Sequence, residues 1–145
     1  MRAAILSLIF VIGLAGCQGT DEALTTDSTP SVISGPAASA IAGDMASRLA
    51  EQMGPVAKAP IKMDKDSSAF STALEAALKG WGFAVITDGK VDKAIKPIEL
   101  AYSIDSSDGQ ILARLWTPSI AISRVYAPTA AGADPVSPLS KLEMN

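Results

Sequence analysis

Ile98, Leu100, Tyr102 and Ile104 alternate with Glu99, Ala101 and Ser103. Large apolar side chains at every second position fall on one face of an extended chain, so this stretch predicts a strand with one buried face. Ser106-Ser107-Asp108-Gly109 follows, a turn sequence in which Gly109 can take positive φ. Gln110 to Thr117 then returns as the second strand of a hairpin. Its phase is ambiguous, because Leu112, Arg114 and Trp116 share one face while Ile111, Ala113 and Leu115 share the other. A strand with two apolar faces is either central and covered on both sides or gives one face to an interface. Trp116 is therefore a candidate partner contact. Pro118 marks a bend, and residues 119–127 supply another strand through Ile120, Ile122, Val125 and Tyr126.

Upstream the apolar period changes from two to nearly four. Ile41, Met45, Leu49 and Met53 recur every fourth residue and form the stripe of an amphipathic helix. Ser34 or Gly35 can cap it, Pro36 suits its first turn, and Gly54-Pro55 ends it. The stripe reads as core, with Asp44 and Arg48 a favourable exposed pair on the other side. Phe70, Leu74, Leu78 and Trp81 mark a second helix from about 68 to 79, which stops at Gly80 and Gly82. Trp81 continues that stripe and is expected in the core. Residues 59–63 and 83–87 are short strands, and the charged stretch 90–97 is an exposed connection.

The fold class expected is α+β: a small, mostly antiparallel sheet with two helices packed on one face, spanning 35–127. From Pro128 onward Ala, Gly and Pro dominate and periodicity disappears, so 128–145 is expected to be an unstructured tail. No internal repeat is visible.

The N-terminus carries a different signal. Arg2 precedes an apolar run, Ala3 to Ile12, and then Leu14-Ala15-Gly16-Cys17. Charge, a short apolar segment and small residues form an export pattern. The run is too short for a comfortable membrane span, which needs roughly 20 residues. A cysteine directly after Leu-Ala-Gly resembles the lipobox of bacterial lipoproteins. That resemblance implies acylation of the Cys17 thiol, cleavage of residues 1–16, and a membrane attachment through lipid. Residues 17–34 are then the acylated cysteine and a tether rich in Thr, Ser and Asp. Leu24, Val32 and Ile33 are its large apolar residues. A passive spacer needs none, so they are candidate partner contacts, by addition to a neighbour's sheet edge. The alternative is that Val32 and Ile33 pack on their own domain.

Composition excludes much chemistry. The chain has no histidine, and Cys17 is its one cysteine. Serine–histidine and cysteine–histidine catalysis are impossible, as are disulfides within the chain. The carboxylate pairs Asp64/Asp66 and Asp105/Asp108 lie in turn and cap contexts, which explain them without acid–base work or calcium. No cofactor is expected, and the chain is not expected to be an enzyme. Net charge is −3 with no basic cluster, which argues against direct nucleic-acid binding.

Several stretches together resemble the TrbH conjugal transfer lipoproteins of plasmid Trb systems. They are Leu14-Ala15-Gly16-Cys17, then residues 42–53, residues 70–83, and Gln110-Ile-Leu-Ala-Arg-Leu with Thr117-Pro118-Ser119. The resemblance runs from the signal to about residue 127. It implies a structural or assembly role in mating-pair formation, within a type IV secretion apparatus that moves DNA between bacteria. It also implies an outer-membrane lipoprotein, with partners in the channel's outer-membrane ring. It supplies no catalytic residues. Gln18 is not the aspartate that marks inner-membrane retention, which favours the outer membrane. The alternative is an unrelated envelope accessory lipoprotein, such as a cell-wall enzyme cofactor or an organelle-assembly factor.

Overall fold

The computed structural model describes residues 33–54 and 59–145. Two helices and seven strands follow one another in this part of the chain: α1 (Gly35–Met53), β1 (Ile61–Met63), α2 (Ala69–Gly80), β2 (Val85–Ile86), β3 (Ile98–Ser107), β4 (Gln110–Trp116), β5 (Ile120–Pro128), β6 (Ala133–Pro135) and β7 (Ser140–Glu143). The strands form one sheet in the order β2-β1-β3-β4-β5-β6, with β7 also paired to β5. β1 is parallel to β2 and to β3, and the other pairings are antiparallel. This is the expected α+β architecture, with both helices on one face.

Local chemistry explains the ends of each element. Ser34 caps α1, its Oγ accepting from the Ala37 N–H at 3.2 Å. Ser68 caps α2 in the same way, accepting from the Ser71 N–H at 3.0 Å. Each hydroxyl satisfies a donor that the first helical turn leaves unpaired. The β3–β4 hairpin turns on Asp108 and Gly109, both at positive φ, 52° and 74°. Two left-handed residues match the twist of the flanking strands, and an Asp-Gly pair accepts that conformation at low cost.

The core lies between helices and sheet. Ile41, Met45 and Leu49 of α1 meet Phe70, Leu74 and Leu78 of α2 over Leu100, Tyr102, Ile104, Ile111, Leu115, Ile122 and Tyr126. The helices approach closely because Ala38, Ala42 and Ala46 are buried between them and their neighbours. The methionine stripe is therefore core at Met45, with Met53 packed against it.

Trp81 departs from expectation, being 54 % exposed. The helix ends one residue before it. The Gly82 N–H bonds the Lys79 carbonyl at 2.9 Å, and the Phe83 N–H bonds the Leu78 carbonyl at 3.2 Å. This paired closure needs a left-handed residue, which Gly82 supplies at φ 92°. The reversal swings Trp81 outward and brings Phe83 back against the core.

The segment expected as an unstructured tail is instead part of the sheet. β6 pairs Ala133 to Pro135 with β5 residues 126–128, and β7 pairs Ser140 to Glu143 with 120–123. Between them Arg124 and Val125 face residues 136–139. Ser137 closes this bulge: its Oγ accepts from the Val125 N–H at 2.9 Å and its carbonyl accepts from Arg124 Nε at 3.0 Å. Pro135 and Pro138 fit because an edge strand needs no N–H on its outer side.

Asp66 pins the loop before α2 to the sheet. Its Oδ1 accepts from the Ser68 N–H at 2.7 Å, and its Oδ2 accepts from the Tyr102 hydroxyl at 3.0 Å. Burial pushes the carboxyl up, but the bonds from Ser68 and Tyr102 outweigh it and hold Asp66 below the usual carboxylate range. A depressed folded-state pKa contributes stability that is present above the unfolded value and lost as pH falls through the folded one. Urea melts should therefore show a loss of stability below about pH 4. Asp66→Asn should reduce that acid loss, and an unchanged acid limb would remove Asp66 from the explanation.

Candidate functional site

Packing decides the phase of β4. Ile111, Ala113 and Leu115 are buried toward the helices, and Leu112, Arg114 and Trp116 point to the other face. Among the described residues no helix covers that outer face. It is built from Ala101, Ser103 and Asp105 of β3, Leu112, Arg114 and Trp116 of β4, and Ala121, Ser123 and Val125 of β5. Trp116 stands directly between Ala101 and Ala121 in the strand register. Ala101 and Ser103 are buried although they face away from the core, because Trp116 and Arg114 lie opposite them. Arg114 Nη2 reaches diagonally to Asp105 Oδ2 at 2.7 Å, an exposed pair.

Trp116 remains half-buried beside an open groove of about 360 Å³. Arg114, Ala121, Ser123, Ser140 and Leu142 line it with Trp116. Leu142 is 63 % exposed. The groove is mainly apolar with Arg114 and Lys141 at its rim, so it suits an apolar side chain from a protein partner rather than a phosphate. Its β7 wall was invisible from sequence because that stretch looked like tail. The legible signal was a pair of apolar residues, Leu139 and Leu142, just after Pro138.

Of the other candidate contacts, Ile33 is partly buried and packs against the core. Cys17, Leu24 and Val32 lie outside the described residues. The carboxylate pairs do not converge. Asp66 holds Ser68 and Tyr102, Asp105 holds Arg114, and Asp108 occupies the hairpin turn. Among the described residues no group of three or more acidic, cysteine or histidine side chains could hold a metal ion. No helix among them is long and apolar enough to cross a membrane.

Asp44 is a second anchoring carboxylate, on the helix face. It is not confined to the exposed pair expected with Arg48. Its Oδ2 accepts from the Tyr126 hydroxyl at 2.6 Å and from Arg124 Nη1 at 2.9 Å, and Arg48 Nε lies 3.4 Å from Oδ1. Burial pushes the Tyr126 hydroxyl well up, and the neighbouring Asp44 carboxylate adds to the shift. For Tyr102, burial again leads, and the hydroxyl is pushed up to about 12. Both tyrosines therefore stay neutral donors that tie the sheet to carboxylates on α1 and before α2. Arg124 and Asp44 side chains are only 18 % and 23 % exposed. Asp44→Ala should cost about 3 kcal/mol, since it strands a half-buried guanidinium and a buried hydroxyl together. Tyr126→Phe, which removes only one donor, should cost about 1 kcal/mol by comparison. Equal losses in chemical denaturation would show that Arg124 draws little from Asp44.

The family model for "Conjugal transfer protein TrbH" matches residues 19–145, so it includes β6 and β7. A protein of Sinorhizobium fredii (strain NBRC 101917 / NGR234), "Probable conjugal transfer protein TrbH", is 62 % identical over 148 residues, covering all of both chains. No solved structure matches the chain at a significant level. On the strength of the model match and the full-length identity, the chain belongs to the TrbH family of conjugal transfer proteins.

Proposed function

We propose that this chain is a lipid-anchored structural subunit of a conjugative type IV secretion apparatus, assembled at the outer membrane during mating-pair formation. The full-length likeness to a conjugal transfer protein carries the reading. Leu14-Ala15-Gly16-Cys17 supports the anchor, and Gln18 after the cysteine supports outer-membrane sorting. Acylated Cys17 holds the chain to the membrane, and the domain faces the periplasm. The role is assembly rather than catalysis: the chain lacks histidine, and Asp44, Asp66 and Asp105 are each engaged in structural cross-links. Nucleic acid passes without direct contact to this acidic chain. Protein contact is the function of the outer groove around Trp116 and of the tether at Leu24, Val32 and Ile33, which engage subunits of the channel's outer-membrane ring.

Two variants test the contacts. Leu24→Ser with Val32→Ser alters the tether, and Trp116→Ala empties the groove wall. Each should lower transfer and co-purification with ring subunits while cooperative melting and membrane attachment persist. Ile33 is left unchanged because its side chain also packs on the core. Wild-type transfer and co-purification in both variants would overturn the contact assignment.

A further inference from the structure

The edge strand β7 carries a self-complementary register. The Met144 N–H bonds the Ser119 carbonyl at 2.9 Å, and the pairing of β7 with β5 places Leu142 opposite Ala121 and Glu143 opposite Ile120. Backbone groups of an antiparallel strand alternate in direction. Ser140, Leu142 and Met144 therefore turn their N–H and C=O toward β5, while Lys141 and Glu143 turn theirs to the open edge. Among the described residues β7 packs on β5 and no other element. All four of its residues are exposed.

The remainder of this edge is blunted. Pro135 and Pro138 lack N–H groups, and the bulge at Ser137 is consumed by Arg124 and Val125. Prolines and bulges are how natural sheets prevent edge pairing. Here they leave one short open window, too short to propagate a continuous ladder but sufficient for one partner strand.

From this geometry we infer that β7 pairs antiparallel with β7 of a second copy, about a two-fold axis at Leu142. In that register Lys141 stands opposite Glu143 of the other copy, and Glu143 opposite its Lys141. The outward backbone groups of these residues meet as hydrogen-bonded pairs. Leu142 meets Leu142 as the close, non-hydrogen-bonded pair on the Trp116 face. Centring the pair on Lys141 would oppose two lysines, and centring it on Glu143 would oppose two glutamates. Opposite charges across strands stabilise and like charges destabilise, so charge selects the first register. Within one chain Lys141 Nζ and Glu143 Oε1 already lie 2.8 Å apart, which shows that both charges occupy the same side of the strand. The two outer grooves then join across the axis.

The test uses the full chain in its native membranes, with Cys17 retained and wild type as the background. Leu142→Cys should form a disulfide-linked dimer on oxidation. Ser140→Cys should not, because the two 140 positions would lie roughly 13 Å apart along the ladder. Adding Lys141→Glu or Glu143→Lys to Leu142→Cys makes both symmetry-related pairs repulsive and should lower cross-linking about tenfold. Combining both exchanges restores opposite charges and should restore the dimer. Cross-linking of Leu142→Cys no greater than that of Ser140→Cys would overturn the inference. A double exchange no better than either single one would do so too, as would Leu142→Cys cross-linking only to a different protein.

Discussion

Cys17→Ser will release the chain from the membrane. Cys17 supplies the chain's one thiol, and under the proposed lipid anchor a serine hydroxyl cannot take its place. One acyl chain alone gives only marginal attachment, whereas lipoprotein maturation supplies several. No helix among the described residues is long and apolar enough to span a bilayer. Vesicle flotation and palmitate labelling should both fall to background, with the domain still folded. A Cys17→Ser protein that still labels with palmitate would refute the lipobox assignment.

The next largest effect should come from truncation after residue 127. The periodic apolar positions of 35–127 suggest a complete domain, yet the sheet continues into β6 and β7. Removing them strips one whole side of β5 of its ladder. Arg124 loses the Ser137 carbonyl, and the Val125 N–H loses the Ser137 hydroxyl. α1 loses the backing of Gly132, where an added Cβ would lie only 3.2 Å from the Ala40 side chain. Leu139 and Ala133, which pack against the core, go as well. The bare edge also becomes a template for aggregation. A 35–127 fragment should melt roughly 10–20 °C below 33–145, or aggregate outright. Matching melts would show that the edge strands contribute nothing to folding.

Where sequence and structure agree, a local rule decides the matter. Ser34 and Ser68 cap their helices as their positions suggest, and the Asp108-Gly109 turn sets the hairpin register. The alternation from Ile98 to Ile104 gives β3, with Leu100, Tyr102 and Ile104 inward. Where they disagree, a non-local partner decides. Trp81 fits the helical period, but Gly82 ends the helix and Phe83 takes the core position. Residues 128–145 lack periodicity because an edge strand with a bulge needs little of its own; its partner β5 supplies the order. Asp44 and Arg124 are 80 residues apart, and nothing local reveals their pairing. The same holds for the groove at Trp116, whose far wall is Leu142. β4 had two apolar faces, and only the position of the helices shows which one remains open.

Transfer frequency in a donor lacking this gene is the most direct measurement of whether the chain serves conjugation from a lipid anchor. Complementation with the wild-type chain should restore transfer. Complementation with Cys17→Ser, at matched protein level and with the same cooperative melt, should leave transfer near the deletion value. Full transfer with Cys17→Ser, or undiminished transfer in the deletion itself, would contradict that role.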